Sequence, residues 1–370
     1  MSQPAIIEEF LELVQLNVNS RNERLIADVV AAKLKALGLT VEEDATGETI
    51  GGNAGNLIAR LPGDPAISPL MFSAHLDRVK NHGRIKPIID GDLIKSDGTS
   101  ILAADDVSGL CAILDGLRRV RDENIPHGEI EVVFSVAEEV GLLGARYLDY
   151  SKIKSKMSYV IDSGGPLGTV VNQAPTQYTF LIKITGKSAH AGIEPEKGLS
   201  AIRVGATALT RLREGRLSPR TTSNFGLFNA GTATNIVCQY AEIRGEARST
   251  DQKELADYLQ EVQNVFRHVG QEFGAEVEVE VTLEYQTFTV PENDEVITLA
   301  GRALKNLGLE LKVIGTGGGM DGNFFNQHGL KAVGLAPGYV GVHTPDEQQS
   351  VSDLIKCGQL VTEIIRESAN

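Results

Sequence analysis

Ile6, Ile7, Phe10, Leu11, Leu13 and Val14 recur at helical spacing, and they predict an amphipathic helix over 4–18. A second helix is predicted over 23–37, ended by Gly38. Short apolar runs follow at 56–61, 70–74, 130–137 and 159–161. They are too short for helices and predict strands, while 107–120 reads as a helix between two of them. Strands alternating with helices imply an α/β fold: a mixed, mostly parallel sheet sandwiched by helices.

The pattern changes in the middle of the chain. A strand is predicted over 178–185, a helix over 199–212, a strand over 241–247 and a long helix over 251–273. Val277, Val279, Val281 and Leu283 then alternate as a strand over 277–283. This β-α-β-α-β order predicts a small ferredoxin-like α+β unit with an antiparallel sheet. After Pro291 the first pattern resumes, with a helix over 294–307, strands over 311–314 and 332–335, and a helix over 351–365. The chain is therefore read as one α/β domain, 1–173 and 288–370, interrupted by a lid domain, 174–287.

Composition narrows the function. The 370 residues carry 49 acidic and 35 basic side chains, a net charge of −14. Nucleic-acid phosphates and anionic membrane surfaces both demand clustered cations, so neither partner is expected. The three cysteines, Cys111, Cys238 and Cys357, are far apart and odd in number, which suggests neither a disulfide framework nor a thiolate metal site. The N-terminus lacks a basic, then apolar, leader pattern, and no run of about 18 apolar residues occurs. A cytoplasmic location is expected.

The chemistry lies at the strand ends. In open α/β sheets, ligands bind outside the carboxyl ends of the strands. The run 70–74 leads into His75-Leu-Asp77, the run 130–137 into Glu138-Glu139, and the run 159–161 into Asp162. Asp105-Asp106 precede the helix predicted over 107–120. Carboxylates gathered at one edge are costly unless cations neutralise them. Imidazole with carboxylate suits zinc or manganese. His75 and Asp77 are two apart on an extended segment and leave the same face, so Asp77 could hold the second ring nitrogen of His75.

These motifs carry a resemblance. AHLD (74–77), AADD (103–106), EEVGLLG (138–144) and DSGG (162–165) come in the order used by co-catalytic zinc peptidases. GKSAHAGIEPEKGLSAI (186–202) is similar to the lid signature of the family that contains peptidase T, glutamate carboxypeptidase and acyl-amino-acid deacylases. GTGGGMDGNFF (315–325) and PGYVGVHTPDE (337–347) extend the likeness over essentially the whole chain. Within that family the chain most resembles the tripeptidase (peptidase T) branch.

The resemblance implies two divalent metal ions, zinc foremost, with manganese or cobalt as alternatives. Asp105 would bridge them, His75 and Asp162 would complete one, and Glu139 and His343 the other. It also implies a cis bond between Asp105 and Asp106. Glu138 would be the general base toward a water shared by the metals, and His190 of the lid would donate to the tetrahedral oxyanion. Asn235 and Arg248 match family positions that grip substrate. His82, His127, His268 and His328 fall outside the motifs and are assigned to the surface. The implied activity is release of the N-terminal residue from tripeptides or similarly short peptides. A deacylase or carboxypeptidase on the same scaffold is the alternative, and a non-catalytic binding protein a remoter one. Such lids often pair into homodimers, which leaves action of His190 in its own chain or across an interface equally open.

Overall fold

The computed structural model describes residues 4–81 and 83–370. The assignment of His82 lies outside them. Two compact units emerge. One runs to Gln173 and resumes over Phe288–Thr316 and Met320–Asn370; the other is Ala174–Thr287 with Gly317–Gly319.

The first unit is the expected α/β fold: a nine-stranded mixed sheet with helices packed on it. Its centre is three neighbouring parallel strands, Ile130–Ser135, Leu70–His75 and Met157–Val160, with Lys331–Leu335 parallel beside the last. Every residue of Leu70–His75 and Ile130–Ser135 is buried, as parallel strands covered on both faces must be. The outer strands Thr40–Glu43 and Leu57–Leu61 are antiparallel to their neighbours. On the sheet, Phe72 stacks on Tyr159 with ring centroids 5.7 Å apart, and the Tyr159 hydroxyl donates to the Val296 carbonyl at 2.7 Å. The helix Ala104–Asp122 packs against Val351–Ser368 so closely that a Cβ on Gly116 would meet Val361 at 2.4 Å.

Several boundaries differ from the expected ones. The first helix is Ala5–Val14 and stops short of residue 18. The buried Arg78 guanidinium donates to the carbonyls of Val14 (2.9 Å) and Leu13 (3.4 Å), supplying partners to groups a helix end leaves open. The strand from Ile130 ends at Ser135, because Ala137 turns into the left-handed region at φ 52°. The sequence pattern missed Thr169–Ala174 and a small sheet of Ile88–Asp90, Leu93–Lys95 and Gln348–Ser350.

The second unit has five antiparallel strands where three were expected. The additions are Gly215–Ser218 and Thr221–Ala230. The latter hid because its ladder shifts register between Asn224 and Leu227, which breaks the two-residue alternation. Its helix Gln252–Phe273 is opened by Asp251, whose carboxylate accepts the N–H groups of Lys253 and Glu254, each at 3.0 Å. Gly274 closes it at φ 74°. That helix buries Leu255, Val262 and Phe266 against Phe180, Ile182 and Ile243 of the sheet. Phe266→Ala would leave a cavity beneath Phe225 and should cost about 3–5 kcal/mol. Denaturant unfolding followed by circular dichroism checks this. A loss below about 1 kcal/mol would show that the ring is not a packed anchor of this unit.

Candidate metal centre

Strand register brings the ligands together. Ser73 lies opposite Val160, and His75 opposite Ser135. Two residues past Ser73 and Val160, His75 and Asp162 therefore leave adjacent strands at one level. Glu138 and Glu139 follow just beyond Ser135. Asp105 arrives from the start of the helix Ala104–Asp122, where Asp105 and Asp106 depart from helical φ/ψ and their shared peptide bond is cis.

Two groups of metal-ligand type result: His75, Asp105 and Asp162, and Asp105, Glu139 and His343. Within each, the donor atoms lie within 4.8 Å of one another. Asp105 belongs to both. Its Oδ1 sits 2.9 Å from His75 Nε2, and its Oδ2 lies 3.3 Å from His343 Nε2. His343 Nε2 also reaches Glu139 Oε1 at 3.1 Å, and His75 Nε2 reaches Asp162 Oδ2 at 4.0 Å. The first group is deep, the second open, since the His343 side chain is 46% exposed and that of His75 1%.

The electrostatics are those of an acidic cluster in want of positive charge. Burial, then the Asp105 carboxylate, pushes Asp162 up to about 7. Burial with the field of Asp162 pushes Glu138 well above the usual carboxylate range. Burial opposes charge on His75, but Asp105, Asp77 and Asp162 outweigh it and raise the imidazole well above its ordinary value. Bonds to Asp105 and Glu139 lift His343 to about 10. Asp105 goes the other way: despite burial, the two imidazoles hold it below the usual range. The carboxylates thus favour the protonated forms of both imidazoles where divalent cations could sit. Five nitrogen and oxygen donors, no thiolate, and one carboxylate with an oxygen toward each group are the donor chemistry of a two-cation site. The residues fit that pair of ions.

A ring of buried groups holds the ligands. His75 Nδ1 meets the main-chain carbonyl of Asp77 at 2.9 Å, with the Asp77 carboxylate at 3.5 Å. The carbonyl, not the expected carboxylate, is its nearer partner. The carboxylate is committed elsewhere: Oδ1 accepts Glu138 N–H at 2.9 Å, and Oδ2 accepts Glu139 N–H at 3.3 Å and the Ser20 hydroxyl at 2.6 Å. Glu347, unassigned by sequence reasoning, accepts the N–H groups of Leu102, Ala103 and Asp105 at 2.7–3.0 Å. Tyr339 donates to Asp162 at 2.9 Å. Both sit inside the quoted motif 337–347, which was the available signal.

In the second unit, the His190 segment pairs with the Asn235 segment. Ala191 N–H donates to Asn235 O at 3.0 Å, and His190 bridges Ile236. His190 Nδ1 accepts the Gly192 N–H at 3.1 Å, which leaves Nε2 to carry the proton and donate. Arg248 is not with them. It lies eight residues beyond Tyr240 on the strand Tyr240–Ser249, roughly 26 Å along at the usual rise, and forks onto Glu246 at 2.9 and 3.0 Å. Of the histidines set aside, His328 stacks on Tyr150 at 3.7 Å, His268 pairs with Glu272 and His127 with the Gly128 carbonyl.

A mostly parallel α/β sheet whose strand ends converge on a shared-carboxylate, two-cation ligand set defines the class of co-catalytic metallohydrolases. The particular family follows from likeness: the chain belongs to peptidase family M20/M25/M40, whose model matches residues 71–367. It is 40% identical to aminopeptidase PepT from Bacillus cereus ATCC 10987, each chain covered in full, with a TM-score of 0.90. It is 36% identical to a tripeptidase from Staphylococcus aureus subsp. aureus Mu50, covering 99% and 98% of the chains, with a TM-score of 0.93. Peptidase T of Serratia proteamaculans is 26% identical over 98% of this chain and 90% of its own. The protein is a peptidase-T-like metallopeptidase. No helix among the described residues is long and apolar enough to cross a membrane.

Two outcomes test the ligand sets. Loading metal-free protein at pH 8 in a pH-stat should release protons, because His343, raised to about 10, must lose its proton to become a ligand; no release would remove His343 from the set. His343→Ala should leave one tight and one weak site in a metal titration, the open site losing its only imidazole. Two unchanged sites would exclude His343.

Proposed function

We propose that the protein is an aminopeptidase that uses two divalent cations, zinc foremost, to hydrolyse the first bond of tripeptides and similarly short peptides. The observation that carries this is Asp105, with one oxygen toward each ligand group. His75, Asp105 and Asp162 would hold one cation, and Asp105, Glu139 and His343 the other. When bound, the cations supply Lewis acidity to the scissile carbonyl and lower the pKa of the attacking water. Glu138 takes the proton of that water and returns it to the departing amine. His190 donates from Nε2 to the developing oxyanion. Asn235 orients the peptide beside it, and Arg248 turns from Glu246 to receive the free carboxylate. The full-length likeness to a PepT aminopeptidase and a tripeptidase supports the substrate class. Three buried, free cysteines support a reducing cytoplasm.

The lid's spacing bears on oligomeric state. An extended tripeptide spans about 10 Å, far less than the strand length that parts Arg248 from the His190–Asn235 pair. That spacing supports a homodimer that supplies the two from separate copies. The strand Thr221–Ala230 offers the edge: it pairs with Gly215–Ser218 only as far as Ser223, and beyond it Leu227 and Phe228 are 55% and 39% exposed. The opposite edge strand carries Glu276, Glu278 and Glu280 outward, a charged edge that resists pairing.

Incubation with tri-, di- and N-acetylated peptides, with products identified by mass, tests the substrate. Release of the first residue from unblocked tripeptides alone is expected, and deacetylation would overturn the reading. Glu138→Gln should keep its metal near the wild-type level and turn over about 10²–10⁴ times more slowly; loss of the metals would make Glu138 a ligand. Co-expressed His190→Ala and Glu138→Gln chains should regain roughly a quarter of wild-type activity by random pairing. An inactive mixture whose dimers are confirmed by sizing would confine His190 to its own chain.

A further inference from the structure

Three successive main-chain N–H groups of the base-bearing turn end on two buried carboxylates. Ala137 N–H donates to Glu23 Oε1 at 3.1 Å, Glu138 N–H to Asp77 Oδ1 at 2.9 Å, and Glu139 N–H to Asp77 Oδ2 at 3.3 Å. Ala137 is left-handed at φ 52°, which an alanine adopts only at a cost of about 1–2 kcal/mol. That conformation turns consecutive N–H groups into an anion-binding concavity. Here the anions are side chains of the protein itself. The other side of the turn is closed by its own backbone, since the Glu138 carbonyl accepts from Gly141 (3.1 Å) and Leu142 (2.7 Å), and the Ala137 carbonyl from Leu143 (3.1 Å).

Glu23 is an unusual choice for a purely structural prop. It is fully buried, its Oε1 also accepts Arg21 N–H at 2.6 Å, and its Oε2 has no hydrogen-bond partner among the described residues. Burial, with Asp77 beside it, pushes its carboxyl up to about 7. Buried polar atoms are rarely left unpaired, and where they are the site calls for an explanation.

We infer that Glu23 is a positioning residue for peptide hydrolysis: with Asp77 it clamps the main chain at 137–139 and so sets the aim of the Glu138 carboxylate. This rests on Glu138 being the general base. Ser20, three residues before Glu23, ties the same N-terminal turn to Asp77 through its hydroxyl, so a segment remote in sequence bears on the base at two points. Glu23 touches neither cation ligand set, so its removal should misaim the base without emptying the metal site.

The test uses metal-loaded enzyme and trialanine, or the peptide of the panel above that the wild-type protein cleaves best. Glu23→Gln keeps an oxygen for both N–H groups and should stay close to wild-type kcat. Glu23→Ala and Glu23→Asp should lower kcat by about 10²-fold, the usual effect of misplacing a reacting group by an ångström. KM should hold, and two metals should remain bound per chain. In a Glu138→Gln background, Glu23→Ala should cost nothing further, because the group it aims is already gone. Wild-type kcat in Glu23→Ala would overturn the inference. So would a loss that tracks missing metal or unfolded protein, or an equal further loss in the Glu138→Gln background. Glu138→Gln alone at wild-type turnover would sink the base assignment itself, a failure distinct from a fast Glu23→Ala beside a slow Glu138→Gln.

Discussion

The carboxyl ends of three parallel strands collect more negative charge than a folded chain holds at ease, and most of the surrounding architecture answers that fact. Like charges a few ångströms apart in a protein interior repel strongly. Asp105, Asp162, Glu139 and Glu138 stay together because the register of Leu70–His75 with its two neighbours leaves the ligands few other places to go. The basic groups seen to touch them are His75 and His343, whose protonated forms these carboxylates favour. The cluster is thus unstable as an isolated set of acids and well suited as a cation site. The same sheet that makes the repulsion supplies the geometry for relieving it.

Around this centre lies a second population of acids with a different employment. Asp77, Glu347 and Glu23 accept main-chain N–H groups, seven such bonds among them, and Asp106 accepts the His75 N–H in the same way. A carboxylate bonded to backbone N–H groups is fixed and its charge is partly spent, so it can approach the centre without becoming a ligand. The outer acids make the loops rigid and the inner acids bind. Both populations are Asp and Glu, so residue type alone cannot sort them. Which atoms face them does.

That explains what the amino-acid sequence disclosed and what it withheld. His75, Glu138, Glu139 and Asp162 were legible because strand ends announce themselves: an apolar run followed by His or an acid is a local pattern; Asp105 stood out before a helix, and His343 was reached only through the likeness of its motif to the family. The α/β class and the inserted unit were legible from alternation for the same reason. Glu347 and Tyr339 lay in a motif that was noticed, yet their roles depend on contacts with residues 162 and 102–105, far away in sequence. Ser20 and Glu23 were concealed more thoroughly. Ser20-Arg-Asn-Glu23 has the spacing of a capping box, a sufficient local explanation, but the Ser20 hydroxyl turns to Asp77 and the Glu23 carboxylate to the base-bearing loop instead. The strand Thr221–Ala230 was missed because its register shift erased the alternation on which strand reading relies.

The lid turns the same reasoning toward substrate. His190 and Asn235 are thirty residues and more apart in sequence but share a backbone ladder, so they move as one. Asn235 and Arg248 are much nearer in sequence and are parted by most of a strand. Sequence proximity therefore misleads here, since a strand converts a short interval into a long distance. Family likeness pairs Asn235 with Arg248 as a substrate grip, whereas the strand sets Arg248 apart from Asn235 and His190. If both sets grip one tripeptide, as proposed, two lids would attend each site. Length selection and pairing of chains would then be a single property: the distance between the sets, bridged by a partner, becomes the measure of the peptide that fits.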